Sequence, residues 1–162
     1  MASLEIILEK SACVFSNAEK EALAAQKNEI YKQLLSEITS DDLPKEVKKT
    51  LDALRKKRYL LAIGSSSKNA PFILQQIGLG GYFDAVSDGN NIMHSKPDPE
   101  VFLKAAQMLN VASSRCLVVE DAVSGAQAAH AGGVKAACVG DASHEGAGDW
   151  NLNSVEELTE IL

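Results

Sequence analysis

The sequence predicts an α/β protein with a mostly parallel, Rossmann-like sheet preceded by a helical segment. Two observations carry this reading. After residue 58, short apolar runs at 59–64, 85–87, 116–120 and 134–139 alternate with helical stretches at 69–78, 99–109, 123–131 and 154–162. That order is the one right-handed crossovers between parallel strands require. Before residue 40 the pattern is helical throughout, so the chain divides at about residue 40 into 1–40 and 41–162.

The elements follow in order. Leu4, Ile7, Leu8 and Ala12 recur at helical spacing over 3–13. Ser16-Asn17-Ala18-Glu19 supplies capping side chains for a long helix over 18–38. The break Thr39-Ser40-Asp41-Asp42-Leu43-Pro44 comes next, with Pro44 suited to open a helix running to Lys56. Val47, Leu51 and Leu54 lie on one face of that helix. The strand at 59–64 leads to a helix ended by Gly78, Gly80 and Gly81, and Gly132-Gly133 closes the 123–131 helix.

A net charge of −6 argues against a binder of nucleic-acid backbones, which need a basic face. No apolar run approaches the roughly 20 residues of a membrane helix. Met1 to Lys10 shows no basic stretch leading into a cleavage site, so the expected compartment is the cytoplasm. The cysteines, Cys13, Cys116 and Cys138, lack metal-ligand spacing; Cys116 and Cys138 sit in apolar runs and are expected to be buried free thiols. His94, His130 and His144 are scattered and read as surface or loop residues. The chain shows neither a nucleophile elbow nor a dinucleotide fingerprint.

The candidate chemistry lies where strands end. The run Tyr59 to Ile63 gives way to Gly64-Ser65-Ser66-Ser67-Lys68-Asn69, at the carboxyl end of a strand, where open α/β sheets bind ligands. Ser95-Lys96-Pro97-Asp98-Pro99 places a lysine in a stiff turn, and Val118-Val119 runs into Glu120-Asp121. Singly, each has an ordinary explanation. Serines cap helices, lysines are solvated, and an acid before a helix contributes about 1 kcal/mol as a cap. Together, hydroxyl, ammonium and paired carboxylates match what a phosphoryl group and Mg²⁺ require: donors and positive charge around equatorial oxygens, and hard oxygen ligands for the metal.

The order strand-Ser65, then Ser95-Lys96-Pro97-Asp98-Pro99, then Glu120-Asp121 resembles the later motifs of the haloacid-dehalogenase-like phosphotransferases. Ser65-x-Ser67-Lys68-Asn69 followed by Ala70-Pro71-Phe72 is similar to their β-phosphoglucomutase subgroup, as is Lys27-Asn28-x-x-Tyr31 to a helix of its cap domain. The resemblance implies a phosphotransferase that moves phosphate between C1 and C6 of β-glucose through an aspartyl-phosphate. Ser65 and Lys96 would then contact the transferring phosphoryl group, and Glu120 and Asp121 would hold Mg²⁺ directly or through water. Ser67, Lys68 and Asn69 would take the second phosphate of a bisphosphate, and Ser66 and Lys27 would line the site of a phosphorylated hexose. A sugar-phosphate phosphatase of the same superfamily and a non-catalytic phosphosugar-binding remnant are the alternatives.

The family opens with a strand ending in Asp-x-Asp-Gly, whose first Asp is the nucleophile and whose second is the acid/base; this sequence contains no such motif. Asp41-Asp42, Asp52 and Asp88-Gly89 are wrongly positioned to replace it. Met1-Ala2-Ser3-Leu4-Glu5 resembles an internal stretch of the longer proteins, so the chain is expected to be their C-terminal part. Residues 1–40 would be a partial helical cap, and 41–162 a haloacid-dehalogenase-like core without its first strand. Inactivity alone and self-association through exposed strand edges are the expected consequences.

Overall fold

The structure, a computed structural model, describes residues 15–162. The helix expected over 3–13, Cys13 and the Met1 to Glu5 stretch lie outside these residues. The chain divides into two compact units, Met1–Ile38 and Thr39–Leu162.

In the first unit, α1 (Asn17–Ser36) starts at a capping box. The Ser16 hydroxyl accepts from Glu19 N–H at 3.3 Å, and the Glu19 carboxylate accepts from Ser16 N–H at 2.8 Å. Two of the helix's orphan donors are thereby satisfied. Ile30, Tyr31 and Leu34 are exposed on it.

In the second unit, Thr39 and Asp42 cap a 3-10 turn at Ser40–Asp42. Pro44 then precedes α2 (Lys45–Lys56), whose first turn holds Glu46 and whose last turn holds Arg55 and Lys56, as the helix dipole favours. Strands and helices then alternate as expected: β1 (Ala62–Gly64), α3 (Ala70–Gln76), β2 (Ala85–Ser87), α4 (Glu100–Met108), β3 (Leu117–Glu120), α5 (Val123–Ala131) and β4 (Lys135–Cys138). Two short elements escaped the sequence reading, α6 (Gly140–His144) and β5 (Trp150–Asn151). The expected C-terminal helix shortens to a 3-10 turn, Val155–Glu157, and α7 (Leu158–Ile161).

All strand pairings among the described residues are parallel. β1 pairs with β2 in the register Ala62↔Ala85 to Gly64↔Ser87, β3 with β4 from Leu117↔Lys135 to Glu120↔Cys138, and β4 with β5 at Ala137↔Trp150. The α/β class is therefore as the alternation predicts. β1 begins three residues later than expected, since Leu61 bonds to Asp84 through both that residue's carboxylate and its N–H instead of entering a regular ladder.

The core joins α4, α5, β3 and β4, with Val101, Ala126, Ala128, Ala136 and Cys138 almost completely buried. Small residues along α5 let it lie close to the sheet. Cys138 is buried, and burial raises its thiol pKa. Cys116 departs from expectation. It is only half-buried, because it sits just before β3 and turns its Sγ toward Ala112 O at 3.5 Å.

Among the described residues, β1 pairs only with β2 and β3 only with β4, so the sheet falls into two parts. The unpaired sides border an apolar cavity of about 930 Å³ whose lining includes Ala62, Ile63, Gly64, Phe102, Leu117, Val118 and Val119. Val119, in the middle of β3, is 43% exposed. No helix of the described residues is long and apolar enough to cross a membrane.

Several surface carboxyls are held below their ordinary range: Asp52 chiefly by Lys48, Asp84 by the Leu61 N–H, Asp149 by the Ala136 N–H ahead of His130, and Glu100 by the N–H groups of His94 and Met93. Lowered folded-state values contribute stability that is complete above the unfolded carboxyl range, about pH 4, and is lost as pH falls through the folded values. The urea midpoint is expected to hold between pH 7 and about pH 5 and to drop by pH 3. An unchanged midpoint at pH 3 would show that these contacts do not persist in solution.

Candidate functional site

Immediately after β1, Ser65 N–H donates to Ser87 O at 2.9 Å, extending the β1–β2 pairing by one bond. Two local turns then shape the loop: Ser67 N–H donates to the Ser65 hydroxyl oxygen and Asn69 N–H to the Ser67 hydroxyl oxygen, each at 3.1 Å. Because each oxygen accepts from the backbone, each O–H proton remains available to an anion. Ser65, Ser67 and Asn69 are half-buried, while Ser66 and Lys68 are exposed.

Lys96 joins this loop to the other half of the sheet. Its N–H donates to the Ser66 hydroxyl oxygen at 3.4 Å, and its ammonium forms a close ion pair with the Glu120 carboxylate. The ammonium also lies 4.7 Å from the centre of the Phe102 ring. Both charged side chains are well covered, Lys96 at 17% and Glu120 at 8% exposure. The other Glu120 oxygen accepts from Ala122 N–H at 3.4 Å. Asp121 is exposed beside it. Gly64 and Val119, the residues preceding Ser65 and Glu120, both line the cavity between the two parts of the sheet.

Of the residues singled out in the sequence, Ser66, Lys96 and Glu120 are thus linked by direct bonds, while Ser65, Ser67, Lys68 and Asn69 follow in the same loop. Lys27 is exposed on α1 in the other unit.

Three features escaped sequence reading. Gly125, in the first turns of α5, has no room for a side chain: a Cβ there would lie 2.1–2.5 Å from the Glu120 carboxylate atoms. The loop Asp88-Gly89-Asn90-Asn91, which follows β2, packs under the serine loop. Its one sequence signal was the Asp-Gly-Asn-Asn turn composition, which says nothing about what the turn touches. Finally, His94 is not isolated. Its Nδ1 lies 3.1 Å from Glu100 Oε2, and ligand atoms of His94, Asp98 and Glu100 fall within 4.8 Å of one another. These groups are bonded among themselves at the start of α4: Glu100 accepts from Met93 and His94 N–H, and Asp98 from Glu100 N–H.

Serine hydroxyls just after β1, a covered lysine in the loop after β2 and a carboxylate pair at the end of β3 suit phosphoryl chemistry, and comparison with known proteins points the same way. A family model described as haloacid dehalogenase-like hydrolase matches residues 5–133. The chain is similar to β-phosphoglucomutase of Bacillus subtilis, 34% identical over 90% of this chain and 64% of that protein. It is also similar to fructose-1-phosphate phosphatase of Escherichia coli, 36% identical over 75% of this chain and 63% of that protein. It thus spans less than two thirds of the length of either relative. Among solved structures, β-phosphoglucomutase of Clostridium difficile superposes with a TM-score of 0.88 at 31% identity, covering 97% of this chain and 71% of that one. A match over most of the chain, joined to the parallel α/β fold, makes this protein a member of the haloacid dehalogenase-like hydrolase family.

Proposed function

We propose that this chain is the larger part of a β-phosphoglucomutase-like phosphotransferase, interconverting β-glucose 1-phosphate and glucose 6-phosphate. The observation that carries the proposal is the Ser66–Lys96–Glu120 linkage at the rim of a gap bordered by the unpaired sides of β1 and β3.

In this reading Ser65 donates a hydrogen bond to the transferring phosphoryl group, and Lys96 supplies positive charge beside it. Ser67, Lys68 and Asn69 hold the phosphate at the far end of the sugar, while Ser66 faces the sugar. Glu120 and Asp121 offer hard oxygen ligands of the kind Mg²⁺ takes, one or two carboxylates with phosphate and water completing its shell. When bound, Mg²⁺ would neutralise charge on the phosphoryl oxygens. Residues 1–40 act as part of a cap, and 41–162 as a core open where a central strand belongs.

The nucleophilic and acid/base carboxylates come, in this account, from an Asp-x-Asp-Gly strand that enters the gap between β1 and β3. Without it the chain is catalytically silent, and its open edges favour self-association. Light scattering on the isolated chain is expected to show dimers or larger species that become monomers once the strand is joined on.

The identity to a fructose-1-phosphate phosphatase favours a second reading, hydrolysis of a sugar phosphate. A chain completed with the Asp-x-Asp-Gly strand and given a panel of phosphosugars separates the two. The mutase reading predicts that β-glucose 1-phosphate is isomerised with little inorganic phosphate released. Release of inorganic phosphate as the main product would favour the phosphatase.

A further inference from the structure

We propose that Gly89 and Asn90 are positioning residues for anion recognition by the 65–69 loop, holding the Ser67 and Lys68 carbonyls inward so that the Lys68 N–H and the loop's polar side chains face a phosphate. This deepens the phosphosugar reading above and rests on it.

In a trans peptide the N–H points opposite to the preceding C=O. Ser67 O accepts from Gly89 N–H at 3.3 Å, and Lys68 O accepts from Asn90 Nδ2 at 2.9 Å. Both carbonyls are therefore turned toward the 88–91 loop. The N–H of Lys68, opposite the Ser67 carbonyl held by Gly89, is aimed the other way, and no hydrogen bond among the described residues uses it. The N–H of Asn69, opposite the Lys68 carbonyl held by Asn90, donates to the Ser67 hydroxyl oxygen at 3.1 Å and so leaves that hydroxyl's proton for the anion.

The underlying loop is itself fixed. Asp88, 4% exposed, accepts from Asn90 N–H at 2.8 Å, and Asp88 N–H donates to Asn91 Oδ1 at 3.1 Å. Gly89 permits the close approach: a Cβ at this position would lie 2.5 Å from Ser66 O and 2.9 Å from Lys68 N. Asn90 thus sets the orientation of a loop whose own residues would touch the ligand.

The test uses the ¹⁵N-labelled 162-residue chain titrated with inorganic phosphate, following the Lys68 and Asn69 amide signals. Asn90→Ala removes the bond to Lys68 O and is expected to weaken phosphate binding about fivefold, the size of one net hydrogen bond. Asn90→Asp, similar in size but placing a carboxylate against that carbonyl, is expected to weaken it further. Asn90→Gln, which keeps a donor, is expected to fall between Asn90→Ala and wild type. Ser143→Ala, in α6, which removes a 2.8 Å bond to Leu152 O beyond β5, serves as a stability control and is expected to leave phosphate affinity unchanged. Wild-type affinity in both Asn90→Ala and Asn90→Asp, or equal weakening by Ser143→Ala, would overturn the positioning role alone. Absence of any response at Lys68 in the wild-type chain would overturn the phosphate reading of this loop and the positioning role with it.

Discussion

Lys96→Ala is expected to destabilise the second unit by about 3 kcal/mol, the lower end of what removing one partner from a buried ion pair costs. The lower end applies because Lys96 keeps some contact with solvent, at 17% exposure. Glu120, at 8%, would be left with one long hydrogen bond from Ala122 N–H at 3.4 Å and no counter-charge. The truncation also removes an ammonium stacked 4.7 Å from the Phe102 ring centre. Urea denaturation of Lys96→Ala, Glu120→Gln and the double variant would measure the coupling. The double variant should recover much of the loss, because a neutral amide no longer needs the cation. A Lys96→Ala variant within about 0.5 kcal/mol of wild type, the range of ordinary surface substitutions, would show that the pair is solvated and weak.

Gly125→Ala carries the second large effect, and here two effects of opposite sign compete. Alanine in place of a helical glycine ordinarily stabilises by about 1 kcal/mol. At this position, however, the new methyl would lie 2.1 Å from Glu120 Cδ and 2.3 and 2.5 Å from the two carboxylate oxygens. That carboxylate cannot swing aside freely, since one oxygen pairs with Lys96 and the other accepts from Ala122. Overpacking of this kind costs about 1–3 kcal/mol; with both contacts of a tethered ion pair disturbed, the upper part of that range outweighs the propensity gain. Gly125→Ala is therefore expected to be less stable than wild type by about 1–2 kcal/mol and to bind Mg²⁺ less well. A variant more stable than wild type would mean that helix propensity alone governs the site.

The sequence carried the alternation of elements well where local composition and tertiary packing agree. The Ala-rich stretch at Val123–Ala131 and the short strand at Ala85–Ser87 emerge with the expected bounds. Agreement fails where partners decide. Tyr59 and Leu60 read as strand by composition but remain outside β1 and exposed. β5 is two residues long, too short for any periodicity to register. In the candidate site, Ser65, Lys96 and Glu120 stood out because their chemistry is written in their side chains. Gly125, Gly89 and Asn90 did not, since their part is to leave space or to turn a carbonyl, which only the folded arrangement reveals. Lys96's contact with Glu120 spans 24 positions, a separation that no local pattern encodes.

We propose that the chain holds a phosphotransferase site completed by a carboxylate-bearing strand between β1 and β3. The most direct test is to measure conversion of β-glucose 1-phosphate to glucose 6-phosphate, with Mg²⁺ present, by the isolated 162-residue chain and by the same chain with an Asp-x-Asp-Gly strand joined to it. No detectable turnover by the isolated chain is expected, because loss of a nucleophile removes nearly all the rate of an interdependent catalytic unit. Turnover is expected once the strand is present, abolished again by Lys96→Ala. Equal turnover with and without the strand, or none from a completed chain shown to be folded, would contradict a site completed by that strand.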